Sequence, residues 1–224
     1  MSEFASFLDI WRKAGVLPPE GTPFKKLTHE QEAEVTAKVI RQNRMERFKL
    51  MCPPEFQKKI DEKLIENPTA WAEADKWEGS FPGLWLWSND TGRAKTRMLW
   101  RKFGALHVNQ GKVVARITGL NLAEEYHDAF NRNRTSEFYG QFSKMGVVML
   151  DDLDKMPLPH QDASFSQSDQ GMRNARFLRE LFDKFYENHV PVLVTANENI
   201  KFFAERIGPS AERRMREVCK EISF

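Results

Sequence analysis

The 224 residues carry a formal net charge of +2, which excludes a global field able to hold nucleic acid or an anionic membrane, so any such binding must come from local patches. The length suffices for one full core plus a smaller unit. Two cysteines, Cys52 and Cys219, stand far apart without metal-ligand spacing; that excludes a disulfide framework, and with no run of roughly 18 apolar residues and no signal-peptide pattern a cytoplasmic, membrane-free protein is expected.

In chain order, Phe4, Phe7, Leu8 and Trp11 recur at i, i+3, i+4 and i+7, the stripe of a short amphipathic helix. The linker Leu-Pro-Pro-Glu-Gly-Thr-Pro at 17–23 separates this helix from the rest of the chain. Two readings stay open: docking in a partner's groove, or folding back on the chain's own core. Thr28 with Gln31 makes a capping-box start, and a long helix runs from there to about Met51, where Pro53 and Pro54 stop it. Arg41, Arg44, Arg47 and Lys49 on its later half read as a solvated face. Trp71 and Trp77 read as anchors for the segment that leads onward.

Residues 84–87 read as a buried strand, Ser88 to Arg93 as a polar loop, and Thr96 to Leu106 as a helix with Leu99, Trp100, Phe103 and Leu106 at helical spacing. Polyphosphate needs backbone N–H groups converging at a helix N-terminus, a flexible cation and a hydroxyl for Mg²⁺. Lys95 and Thr96 supply the last two. Against the pattern G-x-x-x-x-G-K-[ST], Asn89 and Ala94 stand where glycines are asked for. Should Ala94 adopt positive φ, its Cβ costs about 1 kcal/mol.

Residues 121–144 offer two short helices that combine Tyr126, Phe130, Phe138, Tyr139 and Phe142 with Arg132, Arg134 and Lys144. Aromatics interleaved with cations suit single-stranded nucleic acid, which makes Arg132 and Arg134 candidate contacts; the competing reading has the aromatics filling a sheet–helix interface. Val147 to Leu150 form an apolar run expected of a central parallel strand, followed by Asp151 and Asp152 at the end where open α/β sheets bind ligands. Asp151 is placed for a Mg²⁺ shell and Asp152 to orient, or take a proton from, an attacking water. The polar stretch 156–170 is expected to be a mobile loop. A helix over about 172–188 presents Phe177, Leu178, Leu181, Phe182 and Phe185 to the sheet. Another buried strand, 190–196, ends at Asn197, and Arg213 and Arg214 lie on a short helix before the last strand-like residues.

From about Phe81 to Phe224 these motifs resemble the AAA+ ATPases of the initiator and helicase-loader group, the DnaC, DnaI and IstB relatives. The resemblance rests on the Thr91-Gly92-Arg93-Ala94-Lys95-Thr96 loop, the apolar run into Asp151-Asp152-Leu153, Thr195-Ala196-Asn197, and Arg213-Arg214-Met215-Arg216. It implies an α/β fold, a P-loop AAA+ core with a five-stranded parallel sheet flanked by helices over 80–224 and a very short C-terminal lid. A mostly helical partner-binding region and linker over 1–79 precedes it. It further implies ATP and Mg²⁺ as cofactors, with ATP held by Thr91 through Thr96 and the ion by Thr96 and Asp151. Asp152 and Asn197 become catalytic, Arg214 the arginine finger with Arg213 as its fallback, and Pro54 and Phe56 candidates for contact with adenine. The implied activity is that of a slow ATPase that loads a replicative DNA helicase, binds single-stranded DNA and self-associates through the AAA+ domain. Alternatives are an IstB-type transposition ATPase, or a scaffold whose degenerate loop no longer hydrolyses ATP.

Overall fold

The computed structural model describes residues 28–58, 65–90, 94–159 and 165–224. The expected helix at Phe4–Trp11, its linker and the loop residues Thr91, Gly92 and Arg93 therefore lie outside the described residues. Contacts divide the chain into two units, 1–53 and 54–224. The expected boundary at 79/80 differs because the anchoring tryptophans belong to the second unit: Trp71 meets Phe224 edge-on at 6.3 Å, and the Trp77 indole donates to the carbonyls of Ser80 and Pro82.

In the first unit, helix α1 (His29–Met51) begins at the expected capping box. The Gln31 amide N–H donates to Thr28 Oγ1 at 3.3 Å while the Thr28 N–H donates to Gln31 Oε1 at 3.0 Å, so two of the helix's orphan donors satisfy each other's residues.

The second unit is built on five parallel strands, β1 (Gly83–Trp87), β2 (Val114–Thr118), β3 (Val147–Asp151), β4 (Val192–Ala196) and β5 (Cys219–Ser223), in the order β2-β3-β4-β1-β5. Pairing aligns Leu84 with Leu193, Met149 with Leu193 and Thr118 with Asp151. Nearly continuous apolar runs in β1, β3 and β4 follow from cover on both faces. Alternate residues divide between the faces. Trp85, Val148, Leu150, Val192, Val194 and Ala196 join one large core, packed by α5 (Gly119–Asn131), α6 (Thr135–Ser143), α7 (Phe165–Glu187), α8 (Ile200–Ile207) and α9 (Pro209–Val218). The interleaved Leu84, Leu86, Met149 and Leu193 are equally buried. Against β3 and β4 lies α4 (Lys95–Gly104), and against β5 lies α3 (Pro68–Asp75). A short α2 (Pro54–Gln57) leans on α4. The α/β fold with a five-stranded parallel sheet is as the sequence leads one to expect.

Two details differ, and one open reading is decided. Helix α4 ends at Gly104 and continues as a π-helical turn over Ala105–Asn109. Helix α7 begins at Phe165, inside the stretch expected to be loop; its polar opening carries no apolar periodicity, and Asn174 Nδ2 ties its early turns to the Pro157 carbonyl at 2.7 Å. Most of the aromatics over 121–144 are core: Tyr126 stacks on Phe177 at 4.0 Å, Phe138 and Phe142 are buried beside them, and Phe130 is exposed. Cys219 is also a packing residue, since burial pushes its thiol well up from the ordinary range.

Gly83 fixes how closely β1 meets β4. An added Cβ would sit 1.9 Å from the Val192 carbonyl oxygen, a backbone atom that cannot move aside. Gly83→Ala is expected to destabilise the protein by about 3 kcal/mol, measured by urea unfolding; a loss below about 1 kcal/mol would show that the strand pair has room to spread.

Candidate functional site

Beyond the end of β1 the residue before helix α4 is Ala94, whose φ of 64° and ψ of 12° are left-handed. Helix α4 starts there with the Met98 N–H donating to the Ala94 carbonyl at 2.9 Å. The turn thus has the positive-φ backbone that glycine supplies at no steric cost, built here with a Cβ. Met98, Leu99, Trp100 and Phe103 are buried and hold the helix on the sheet, which explains how the turn is kept.

That turn aims Lys95 back over the strand ends. The residue is 6% exposed, and its ammonium donates to Ser88 Oγ at 2.6 Å, the Asp90 carbonyl at 3.2 Å and Asn197 Oδ1 at 3.2 Å. One residue on, Thr96 Oγ1 donates to Asp151 Oδ1 at 3.1 Å. The same oxygen accepts from Thr195 Oγ1 at 2.7 Å, and the Thr195 hydroxyl accepts from the Asp152 N–H at 2.8 Å. Asp151 Oδ2 is paired with Arg116. A threonine hydroxyl beside a carboxylate is an oxygen donor set suited to Mg²⁺, so Thr96 and Asp151 fit the ion that the sequence implies. Among the described residues no cluster of three or more His, Cys, Asp or Glu offers another metal site.

Asp152 has left-handed backbone, with φ of 49° and ψ of 51°. Burial, then the charges of Asp151 and Asp154, raise its carboxyl above the ordinary range, partly offset by Lys155 and Lys95. Asn197 is clamped by Asp154, which accepts from its N–H at 3.1 Å and its Nδ2 at 2.9 Å. With Nδ2 on a carboxylate and Oδ1 on an ammonium, the orientation of the amide is chemically consistent.

Lys95, Thr96, Asp151, Asp152 and Asn197 therefore converge, as the motif spacing leads one to expect, while Thr91, Gly92 and Arg93 lie outside the described residues. Phe56 lies under the Arg97 guanidinium at 5.4 Å, on the same helix as Lys95. Arg214 is elsewhere, in a groove between α7 and α9. It donates to Asp183 Oδ1 at 2.7 Å and Glu217 Oε2 at 2.6 Å, and lies 4.0 Å from the Tyr186 ring centroid. Its neighbour Arg213 is paired with Glu217 at 3.0 Å, yet its side chain is 86% exposed. Arg132 is paired with Asp128 at 2.9 Å, and with Arg134 it lines a depression shared by Glu124, Glu125 and Glu137. Two members of the cluster had weaker signals. Arg116 is a lone cation in the strand Val-Ala-Arg-Ile-Thr, and Asp154 is the third acid of Asp-Asp-Leu-Asp, a group that reads equally well as a cap.

No family model matches the chain, and no curated protein matches it. Solved structures do. The chain is similar to AMPPCP-bound DnaA from Aquifex aeolicus at 15% identity and a TM-score of 0.52, covering 68% of this chain and 44% of that one. It is similar to the DnaC helicase loader at 15% identity and a TM-score of 0.51, covering 90% and 93%, and to DnaI at 15% and 0.51, covering 77% and 90%. It thus spans less than half of the DnaA structure and most of the two others. At this identity the likeness is one of fold, which the chain shares with these DnaA, DnaC and DnaI structures. No helix among the described residues is long and apolar enough to cross a membrane.

The raised Asp152 carboxyl carries a pH signature. In a folded chain that binds its proton more tightly than the unfolded chain does, stability falls as pH rises from about the ordinary aspartate value of 3.8 through the raised folded value, because the unfolded state then ionises first. Asp152→Asn is expected to raise the thermal midpoint near pH 7, with the pH-dependent part of the gain fading below about pH 4. Asn also tolerates left-handed backbone better, which adds a pH-independent part. A gain of the same size at every pH would show that Asp152 carries no excess proton.

Proposed function

We propose that this protein is an ATP-binding P-loop ATPase of the helicase-loader kind, slow as a single subunit. The observation that supports this best is the meeting of Lys95 and Thr96, from the turn after β1, with Asp151, Asp152 and Asn197 from the ends of β3 and β4. Thr96 and Asp151 are the residues that would hold Mg²⁺, which would supply charge neutralisation for the nucleotide's phosphates.

The remaining chemistry belongs to the chain. Lys95 exchanges Ser88, Asp90 and Asn197 for phosphate oxygens, so that its charged donor meets charged acceptors. Asp152, its carboxyl raised by burial and by the charges of Asp151 and Asp154, orients the attacking water. Asn197, fixed by Asp154, presents its amide beside the Lys95 ammonium. By the motif alone, Thr91, Gly92, Arg93 and Ala94 are the proposed phosphate-binding stretch. The left-handed Ala94 favours a second emphasis: a turn under strain binds nucleotide as a switch and turns it over slowly.

Calorimetry with Mg·ATP tests the reading. Lys95→Ala should weaken binding on the order of 100-fold through loss of charged hydrogen bonds; no heat from the unaltered protein would end the proposal. The same preparations, with and without ATP, should co-purify with a replicative helicase and bind single-stranded DNA. That binding should weaken, and its salt slope flatten, in an Arg132→Ala, Arg134→Ala double variant. Unchanged binding would remove those two residues from the proposal.

Arg214 is proposed to complete a neighbour's site in an assembled oligomer, which requires it to leave Asp183 and Glu217. Arg214→Ala should then lower turnover by roughly 1,000-fold while nucleotide affinity changes little. An equal fall in both would make it a purely structural residue, and a turnover loss found instead in Arg213→Ala would pass the role to its exposed neighbour.

A further inference from the structure

The carboxylate assigned to the metal shell is already fully engaged by the chain. Asp151 Oδ1 accepts from Thr96 and Thr195 at 3.1 and 2.7 Å. Its Oδ2 is taken by the Arg116 guanidinium, the two side chains being 4% and 25% exposed. A cation so placed stands next to the acid that a divalent ion must use, where charges interact far more strongly than in water. Arg116 is also held from its other face: its guanidinium lies 4.5 Å from the Trp100 ring centroid, on the helix that begins at Lys95 and Thr96. Its Nε is buried with no hydrogen-bond partner among the described residues, so this placement is maintained by Asp151 and Trp100 at the expense of one of the arginine's donors.

We propose that Arg116 is a tethered competitor of Mg²⁺ at Asp151, and that its release from both Asp151 and the Trp100 ring is the step by which the site admits the metal-bound nucleotide. This rests on the reading of Lys95, Thr96 and Asp151 as a Mg·ATP site. The consequence is a raised metal threshold. While Arg116 neutralises Asp151, the ion gains little from that carboxylate, and Mg²⁺ sheds its water reluctantly. Entry of the ion moves the guanidinium off an indole, which gives the event its own optical signal.

The test uses the full chain and a fluorescent ATP analogue, titrated with Mg²⁺ at fixed nucleotide from a chelated start. Arg116→Gln should lower the Mg²⁺ concentration for half-maximal binding by about tenfold, a shift within what breaking a buried ion pair releases, while Arg116→Lys should stay close to the unaltered protein. Tryptophan emission of the unaltered protein should change as Mg²⁺ is added with nucleotide and lose that change in Trp100→Phe, a readout that stands even if Arg116→Gln fails to fold. An unchanged or raised Mg²⁺ requirement in Arg116→Gln, or an Mg²⁺-dependent emission change that survives in Trp100→Phe, would overturn the role of Arg116 and leave the ATP site standing. Absence of nucleotide binding at every Mg²⁺ concentration, in both proteins, would overturn the site and the competitor together.

Discussion

The buried carboxylate of Asp151 is the constraint around which the second unit is arranged. It ends a strand whose residues Val147 to Leu150 are wholly buried, and a charge there is tolerable only when paired and hydrogen-bonded on all sides. Four elements answer that need: β3 provides the acid, α4 provides Thr96, β4 provides Thr195 and β2 provides Arg116. Asp151 and Thr195 sit at the C-terminal ends of their strands and Thr96 at the start of its helix, while Arg116 reaches Asp151 from the middle of β2. Satisfying one carboxylate therefore ties the ends of β3 and β4 to one helix N-terminus, with β2 braced beside them, and those ends are where a parallel sheet can present groups to a ligand.

Strain collects beside this point. Ala94 and Asp152 both have left-handed backbone without being glycine, at a cost of about 1 kcal/mol each. Such conformations persist where the surroundings over-determine them. At Ala94 the apolar face of α4 supplies that determination; at Asp152 the N–H bond to Thr195 does. The two turns point Lys95 and the acids toward one another across the sheet ends, so the strained geometry is also that of the proposed site. Because Lys95, Thr96, Asp151 and Asn197 already have partners within the chain, ligand entry is an exchange of bonds, and the affinity is the difference between two well-bonded states.

The cations farther out behave differently. Arg214 and Arg132 are held by acids on or near the surface, with side chains 32% and 64% exposed. Ion pairs of that kind contribute about 1 kcal/mol or less, so a phosphate on a neighbouring subunit or strand can displace them at little cost. The pair between Arg116 and Asp151 lies in a drier setting, where breaking one side leaves a buried charge behind. Burial thus separates the arginines that can be recruited easily from the one that gates.

Much was legible in the sequence. Apolar runs bounded by polar turns located β1, β3 and β4, the Thr28–Gln31 spacing gave the start of α1, and strand-end chemistry marked Lys95, Thr96, Asp151, Asp152 and Asn197, because period and composition are local properties of the chain. The start of α7 was hidden, since a polar helical turn and a polar loop share a composition; for Tyr126, Phe138 and Phe142 the sequence offered core packing and base stacking alike, because an aromatic residue looks the same whether it stacks on a base or on Phe177. Only the tertiary structure decided that Arg116 faces Asp151, that Asp154 clamps Asn197, that Ala94 is left-handed and that Arg214 rests against Asp183: these depend on distances between residues far apart in the chain, or on a backbone angle imposed by packing, and neither is written in the order of the residues.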